Sequence, residues 1–296
     1  MTHDVEATRR THRVWIPEGE IVALALGRGR PVLFLHGVSA RARTWLPVAE
    51  RVADRARAWL PDLLSRGESS TRPDVSYDLD SEVIRAGLVA DALARLDAGG
   101  GEDATDAPRV LVGHSHGAAI ALALAAERPG VEGLVLSNPV SPWVRRPRIL
   151  DALASPLLRR ATAGALAPLH RPFGRLVLAR AAGPHHRASS EQVGTYAGPY
   201  ADRRRAEALM RVLSDWRPAE LGPRLPSGRA VRIVTGAHDP RISVESARRL
   251  ASLLDASFTV IEDGGHILPE QHPDALAREI LTLLDDLDAR AERSRS

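Results

Sequence analysis

The ten residues Val110-Leu111-Val112-Gly113-His114-Ser115-His116-Gly117-Ala118-Ala119 constrain this chain more than any other stretch. An apolar run ends in Gly-x-Ser-x-Gly and passes directly into the alanine- and leucine-rich segment Ile120 to Ala126. That order reads as strand, sharp turn and helix. Such a turn holds its serine in strained backbone geometry, so Gly113 and Gly117 are needed where neighbouring backbone passes close by. In return the serine hydroxyl is presented at the tip of a sheet, beside the positive end of a helix. Gly-x-Ser-x-Gly alone is common by chance; flanked by a strand and a small-residue helix it marks Ser115 as the candidate nucleophile.

The rest of the chain supplies a frame for that turn. Thr11 to Ile16 and Glu20 to Leu26 read as a hairpin closed by Pro17-Glu18-Gly19. Pro31 to Leu35 is a continuous apolar run, as expected of a strand buried on both faces. Further strands are expected at Ala56 to Leu60, Val131 to Ser137, Ala230 to Thr235 and Phe258 to Ile261. Helices are expected at Thr44 to Val52, Asp80 to Leu96, Val244 to Leu254 and Pro273 to Leu284, with Ala98 to Ala107 a surface loop and Ala289 to Ser296 a frayed tail. Strands alternating with helices imply an α/β protein with a mainly parallel twisted sheet covered on both faces. Between Pro139 and about Leu221 the texture changes to proline- and arginine-rich, helix-like segments without clear strands. The chain then divides into a core of residues 1–138 and 222–296 and a helical cap, or lid, of residues 139–221 lying over the strands' C-terminal edge, where open α/β sheets bind ligands.

Composition excludes several classes of function. There is no cysteine, hence no disulfide, thiolate metal site or cysteine nucleophile, which fits a reducing, cytoplasmic location. No apolar run approaches the roughly 18 residues of a membrane span, and the polar N-terminus has no export-signal core. A sequence pI of about 10.0 suggests nucleic acid, but the 40 basic residues are all arginine and the net charge is only +3. Without lysine or cysteine little titrates between about pH 8 and 10, so a small excess of charge moves the pI far. Arginine among proline and alanine, with no recognition motif, makes nucleic acid an unexpected partner.

A serine hydroxyl needs a base within hydrogen-bond reach, itself oriented by an acid. Gly264-Gly265-His266 follows one strand and Gly236-Ala237-His238-Asp239 follows another, so Ser115, Asp239 and His266 stand in the Ser…Asp…His order of this type of turn. His238 and His272 compete for the base from less suitable elements. Asp239 also suits a turn or a helix cap near Ser243, and His266 a capping role. The oxyanion of a tetrahedral intermediate requires N–H donors, expected from the backbone amides of His116 and Val38. The His36 side chain serves as a structural hydrogen-bonder more readily than as a proton shuttle. His114 and His116 diverge around the turn, and zinc at His185-His186 has little support, so neither a metal nor an organic cofactor is expected.

These motifs together resemble the α/β-hydrolase superfamily over about Thr11 to Leu284, and specifically its cap-bearing, serine-nucleophile members. The resemblance is carried by FLHGVSARARTW (Phe34 to Trp45), PDLLSRGES (Pro61 to Ser69), VGHSHG (Val112 to Gly117), TGAHDP (Thr235 to Pro240) and GGH (Gly264 to His266). Tyr196 to Leu209 is similar to a cap helix of the haloalkane dehalogenase, epoxide hydrolase and carbon–carbon hydrolase branch. The resemblance implies an aspartate nucleophile for the first two; Ser115 stands there instead, and His116 stands where dehalogenases carry a halide-holding tryptophan. The chain also departs from the family's usual Asp-x-x-Gly-x-Gly-x-Ser loop, with Glu68 following Gly67.

Residues 139–221 hold fourteen arginines against six acids, a net of +8 in a chain of +3. Those arginines either steer an anionic or carrier-bound substrate or solvate the outer faces of helices. His36, Trp143, Tyr196 and Tyr200 are candidates to contact substrate, with Phe173 and Trp216 further possible pocket aromatics. The expected activity is hydrolysis of an ester or related acyl bond in a small, fairly apolar molecule. The alternatives are a carbon–carbon bond hydrolase, another serine-dependent step in secondary metabolism, and a ligand sensor on the same fold.

Overall fold

Side chains of the central strands alternate between two hydrophobic layers, and that alternation sets the architecture. The computed structural model describes residues 9–97 and 107–294. The strands are β1 (Arg10–Ile16), β2 (Gly19–Gly27), β3 (Arg30–Leu35), β4 (Ala56–Pro61), β5 (Val110–His114), β6 (Gly133–Ser137), β7 (Ala230–Gly236) and β8 (Ser257–Ile261). They form one sheet in the order β1-β2-β4-β3-β5-β6-β7-β8. The β1–β2 hairpin and the β2–β4 pair are antiparallel, and every later pairing is parallel. Parallel neighbours require crossover connections, and helices supply them.

Leu33, Leu35, Leu111, Leu134, Leu136 and Ile233 face one layer, packed with α2 (Leu79–Asp97), α3 (His116–Glu127) and α8 (Val244–Leu253). The intervening Val32, Phe34, Val110, Val112, Val135 and Val234 face the other, packed with α1 (Leu46–Val52) and α10 (Pro273–Arg293). Because strand side chains alternate with a period of two, a strand between two helical layers must be apolar throughout. Helix α3 is buried over all of His116–Ala125. Its alanines let it lie close to the sheet at the point where β5 ends.

Between β6 and β7 the described residues form helices and no strand. These are α4 (Pro156–Leu166), α5 (His170–Ala182), α6 (Ser190–Ala201) and α7 (Arg203–Asp215), flanked by 3-10 turns at Arg148–Ala154 and Pro218–Arg224. Ser155, Ser189 and Asp202 cap α4, α6 and α7, each accepting a backbone amide three residues on, and Gln192 completes a capping box with Ser189. The four-residue α9 (Leu268–Gln271) follows β8.

Two expectations need correction. The chain does not fray from Ala289: α10 continues to Arg293. It is anchored by buried Leu287 and by ion pairs of Asp285 with Arg55 and of Asp288 with Arg30 and Arg55, partners distant in sequence. In the Asp62–Ser69 loop the conformational departure lies at Ser65, where the family pattern has glycine, rather than at Glu68. Ser65 is left-handed at φ +66°, and its hydroxyl bonds Tyr77 and accepts the Arg72 amide at 2.8 Å. Those bonds offset a strained conformation that glycine would adopt freely. The strand expected from Val131 begins at Gly133, and the loop expected at residues 98–107 lies outside the described residues apart from Ala107. Among the described residues no helix is long and apolar enough to cross a membrane.

Candidate active site

Ser115 occupies the junction of β5 and α3 with φ +53° and ψ −114°, a conformation that L-residues rarely adopt. The surroundings enforce it. A Cβ on Gly117 would run into the carbonyls of Leu35 and His36, and one on Gly113 into the backbone of Ala118. The Ser115 amide donates to Ser137 O at 3.0 Å, tying the turn to the end of β6. Neither the His116 amide, at the start of α3, nor the Val38 amide, in the turn after β3, has a protein acceptor among the described residues. Both residues line a cavity with Ser115.

His266 and Asp239 come together across 27 positions of sequence. Nδ1 of His266 bonds Asp239 Oδ2 at 2.6 Å, and the Asp239 side chain is fully buried. The other carboxylate oxygen accepts the amides of Arg241 (2.7 Å) and Ile242 (3.0 Å). With Nδ1–H committed to the carboxylate, Nε2 of a neutral His266 is the free acceptor.

Asn138, immediately after β6, ties the His266 loop to the end of β7, from which Asp239 follows. Its Nδ2 donates to Gly265 O (3.0 Å) and His266 O (2.9 Å), and its Oδ1 accepts from Thr235 Oγ1 (3.0 Å) and the Gly236 amide (2.9 Å). It is fully buried at φ +42°, a region asparagine tolerates better than most residues. Asn138→Ala would strand four buried polar groups. We expect it to cost about 3 kcal/mol by urea unfolding and to slow any turnover that depends on His266. A loss below about 1 kcal/mol would show that these bonds do not hold the loops. From the opposite side Ala181 O, near the end of α5, accepts the His266 amide at 2.6 Å, and Gln271 donates to Ala182 O at 2.8 Å. The helical segment between β6 and β7 therefore grips the His266 loop directly.

Three further histidines are buried and neutral. Burial drives His36 down to about 3. Its Nε2 accepts the Leu63 amide at 3.0 Å, which leaves Nδ1–H to donate to Gly37 O at 2.8 Å. Burial likewise brings His116 to about 3 and pulls His114 well below the usual imidazole range. His116 packs edge-on to Trp216 at 5.2 Å, and neither His116 Nε2 nor Trp216 Nε1 has a partner among the described residues.

Two cavities, of about 310 and 230 Å³, meet at Ser115. Val38, Ser115, Leu213, Arg241 and His266 line both. The larger continues past His116, Val140, Leu150 and Trp216; the smaller past Phe173, Leu178, Tyr196 and Tyr200. The Tyr196 hydroxyl donates to Glu270 at 2.6 Å, and burial raises both groups above their usual ranges. The other two candidate contacts lie elsewhere. His36 is sealed between Gly37 and Leu63 and lines neither cavity. Trp143 also lines neither: its ring lies under the Arg249 guanidinium at 3.9 Å and packs on the core. Leu213 and Arg241, at the junction, were not singled out from the sequence. Arg241 stands two positions after Asp239, a spacing without a signal of its own.

Comparison with known proteins decides the family. The model of the alpha/beta hydrolase family matches residues 32–279. This chain is an alpha/beta hydrolase. It is similar to a haloalkane dehalogenase of Mesorhizobium japonicum, 29% identical over 280 residues, covering 88% of this chain and 85% of that protein. An N-formylmaleamate deformylase of Pseudomonas putida is 27% identical, covering 82% and 84% of the two chains. The structure of an alpha/beta hydrolase fold protein from Burkholderia ambifaria superposes with a TM-score of 0.77 at 22% identity, covering 92% of this chain and 97% of that one. As an alpha/beta hydrolase the protein is a hydrolytic enzyme; its bond type and nucleophile rest on the site itself.

Proposed function

We propose that this hydrolase cleaves an ester or related acyl bond of a small molecule through a serine nucleophile. The observation that carries the reading is the convergence at one cavity junction of Ser115, held at φ +53°, with His266, whose Nδ1 is bonded to buried Asp239. Ser115 Oγ attacks the carbonyl carbon while its proton passes to His266 Nε2, and Asp239 stabilises the imidazolium. The Val38 and His116 amides receive the developing oxyanion, each worth about 10²–10³ in rate. Collapse expels the alcohol, which takes the proton from His266 and leaves an acyl-serine. Water then attacks the acyl carbon, giving its proton to His266, and release of the acid restores Ser115.

Residues 139–221 act as the lid in this reading, and residues 1–138 with 222–296 as the core beneath it. The lid helices supply Phe173, Leu178, Tyr196 and Tyr200 to the cavity walls, and the segment after α7 supplies Trp216, which favours a largely apolar substrate. Haloalkane dehalogenation is not proposed despite the relative of that name, because the resemblance implies an aspartate for that chemistry and Ser115 stands in its place.

Covalent labelling by a fluorophosphonate, read by intact mass, tests this. Stoichiometric labelling of the wild type, abolished in Ser115→Ala and slowed at least a hundredfold in His266→Ala, is the expected result. A folded wild type that neither takes the probe nor cleaves para-nitrophenyl acetate would overturn the reading in favour of a ligand sensor.

A further inference from the structure

The five residues shared by the two lobes include the proposed nucleophile, its base and one oxyanion donor, and a cation. Arg241 lines both lobes. Its backbone is fixed by the Asp239 carboxylate, which accepts its amide at 2.7 Å. The side chain is exposed, and its guanidinium has no hydrogen bond or ion pair among the described residues. Arg145, in the larger lobe, is likewise exposed and unpaired among the described residues. Arg146 lines the same lobe but is committed to Leu213 O, Ser214 O and Asp151. No aspartate or glutamate lines either lobe among the described residues.

We propose that the substrate carries a carboxylate, seated in the larger lobe between Arg241 and Arg145, while its scissile carbonyl lies at Ser115. This deepens the serine-hydrolase reading and rests on it. A guanidinium matches a carboxylate through two parallel N–H···O bonds, and partial exclusion of water inside a lobe strengthens that pairing beyond its value at an open surface. The remaining walls of the lobe, among them Val140, Val144, Leu150 and Trp216, suit the hydrocarbon between the two ends. Arg241 lies outside the +8 segment of residues 139–221, and Arg145 is one of that segment's arginines. Of the fourteen arginines in that segment only Arg145 and Arg146 reach the cavity. Others are occupied on the segment itself: Arg160 pairs with Glu207, Arg211 with Asp215, and Arg159 donates to Leu153 O and Ala154 O. Charge at the site thus depends on two residues rather than on the bulk of the segment.

Two matched substrate pairs test the proposal, because a carboxylate could enter on either side of the scissile bond. On the acyl side the pair is mono-para-nitrophenyl glutarate and para-nitrophenyl valerate. On the leaving-group side it is para-acetoxybenzoate and its methyl ester. The expected result is that wild type favours the anionic member of one pair at least tenfold in kcat/KM. That ratio should fall at least tenfold in Arg241→Gln, mainly through KM, and further in Arg145→Gln/Arg241→Gln, with partial recovery in Arg241→Lys. Both positions are exposed, so unchanged thermal unfolding serves as the folding control. Preference for the neutral member in both pairs, or a ratio indifferent to Arg241, overturns the carboxylate assignment. Arginine-dependent preference for acetyl-coenzyme A over both anionic esters would overturn it in favour of phosphate. If Ser115 is labelled and cleaves the neutral esters, such failures belong to this inference alone. If wild type cleaves none of the esters and takes no label, the serine reading falls and this one with it.

Discussion

Replacing Asp239 with asparagine is expected to lower kcat toward a neutral ester about 10³–10⁴-fold while the protein remains folded. The substitution keeps volume and shape, and the side chain is fully buried, so packing is preserved. What changes is the pattern of donors. One oxygen must still accept the Arg241 and Ile242 amides, at 2.7 and 3.0 Å in the wild type, and the amide oxygen of asparagine takes that place. Its NH₂ group then faces His266 Nδ1, where a carboxylate oxygen stood at 2.6 Å. A donor there forces the imidazole proton onto Nε2, the nitrogen that has to receive the Ser115 proton. The negative charge that balances the imidazolium is lost as well. Steady-state kinetics on para-nitrophenyl butyrate, beside thermal unfolding of the same preparation, checks this. A loss of less than tenfold in a folded variant would mean that His266 is oriented by something other than Asp239.

The parts of the site visible in the sequence are those made by contiguous residues. Gly113 and Gly117 flank Ser115 within five positions, and their identity is dictated by backbone passing within reach of a Cβ, so the motif itself records the geometry. The apolar runs of β3, β5 and β6 were legible because both their faces are buried, and the Ser115…Asp239…His266 order followed from which strand each residue ends. Asn138 left no such trace. Its four partners come from residues 97 to 128 positions away, and an asparagine after a strand is an ordinary turn residue. The extension of α10 to Arg293 rests on pairing with Arg30 and Arg55 near the other end of the chain, which no local window contains. That His36 is the structural hydrogen-bonder expected of it, and that it and Trp143 line neither cavity, is not legible locally for a related reason. A histidine beside a functional turn and a tryptophan beside an inserted segment look alike whether they face the cavity or the core, and only the Leu63 amide and the Arg249 guanidinium decide it. Arg241 was hidden by the abundance of arginine around it. Composition shows that positive charge is plentiful, but not which guanidinium lines the cavities with Ser115 and has no carboxylate partner among the described residues.

Acid should destabilise this protein from about pH 6.5 downward. His36, His114 and His116 are buried around the Ser115 turn, and desolvation lowers all three, His36 and His116 to about 3. In the unfolded chain each titrates near 6.5. Above that value both states are neutral, and the folded state gains its full stability from them. Between about 6.5 and 3 the unfolded chain binds protons that the folded protein refuses, so stability falls as pH falls. Each group contributes up to about 1.4 kcal/mol per pH unit. Taken together, the three predict a loss of about 6 kcal/mol between pH 7 and pH 5, a large share of a typical domain's stability. Asp62 and Glu270, raised by burial, act in the opposite sense from their ordinary carboxylate values upward, and so offset part of the loss in the lower half of this window. Urea unfolding at the two pH values measures the loss, and a change under about 1.5 kcal/mol would mean that the buried imidazoles reach water or an unseen acid. His116→Phe isolates one contribution. Because His116 Nε2 has no partner among the described residues, the apolar ring strands no bonded group there, keeps the edge-on packing against Trp216 and leaves the backbone amide in place. The variant should therefore lose about a third less stability on acidification than the wild type, an outcome that a general loosening of the fold in acid would not produce.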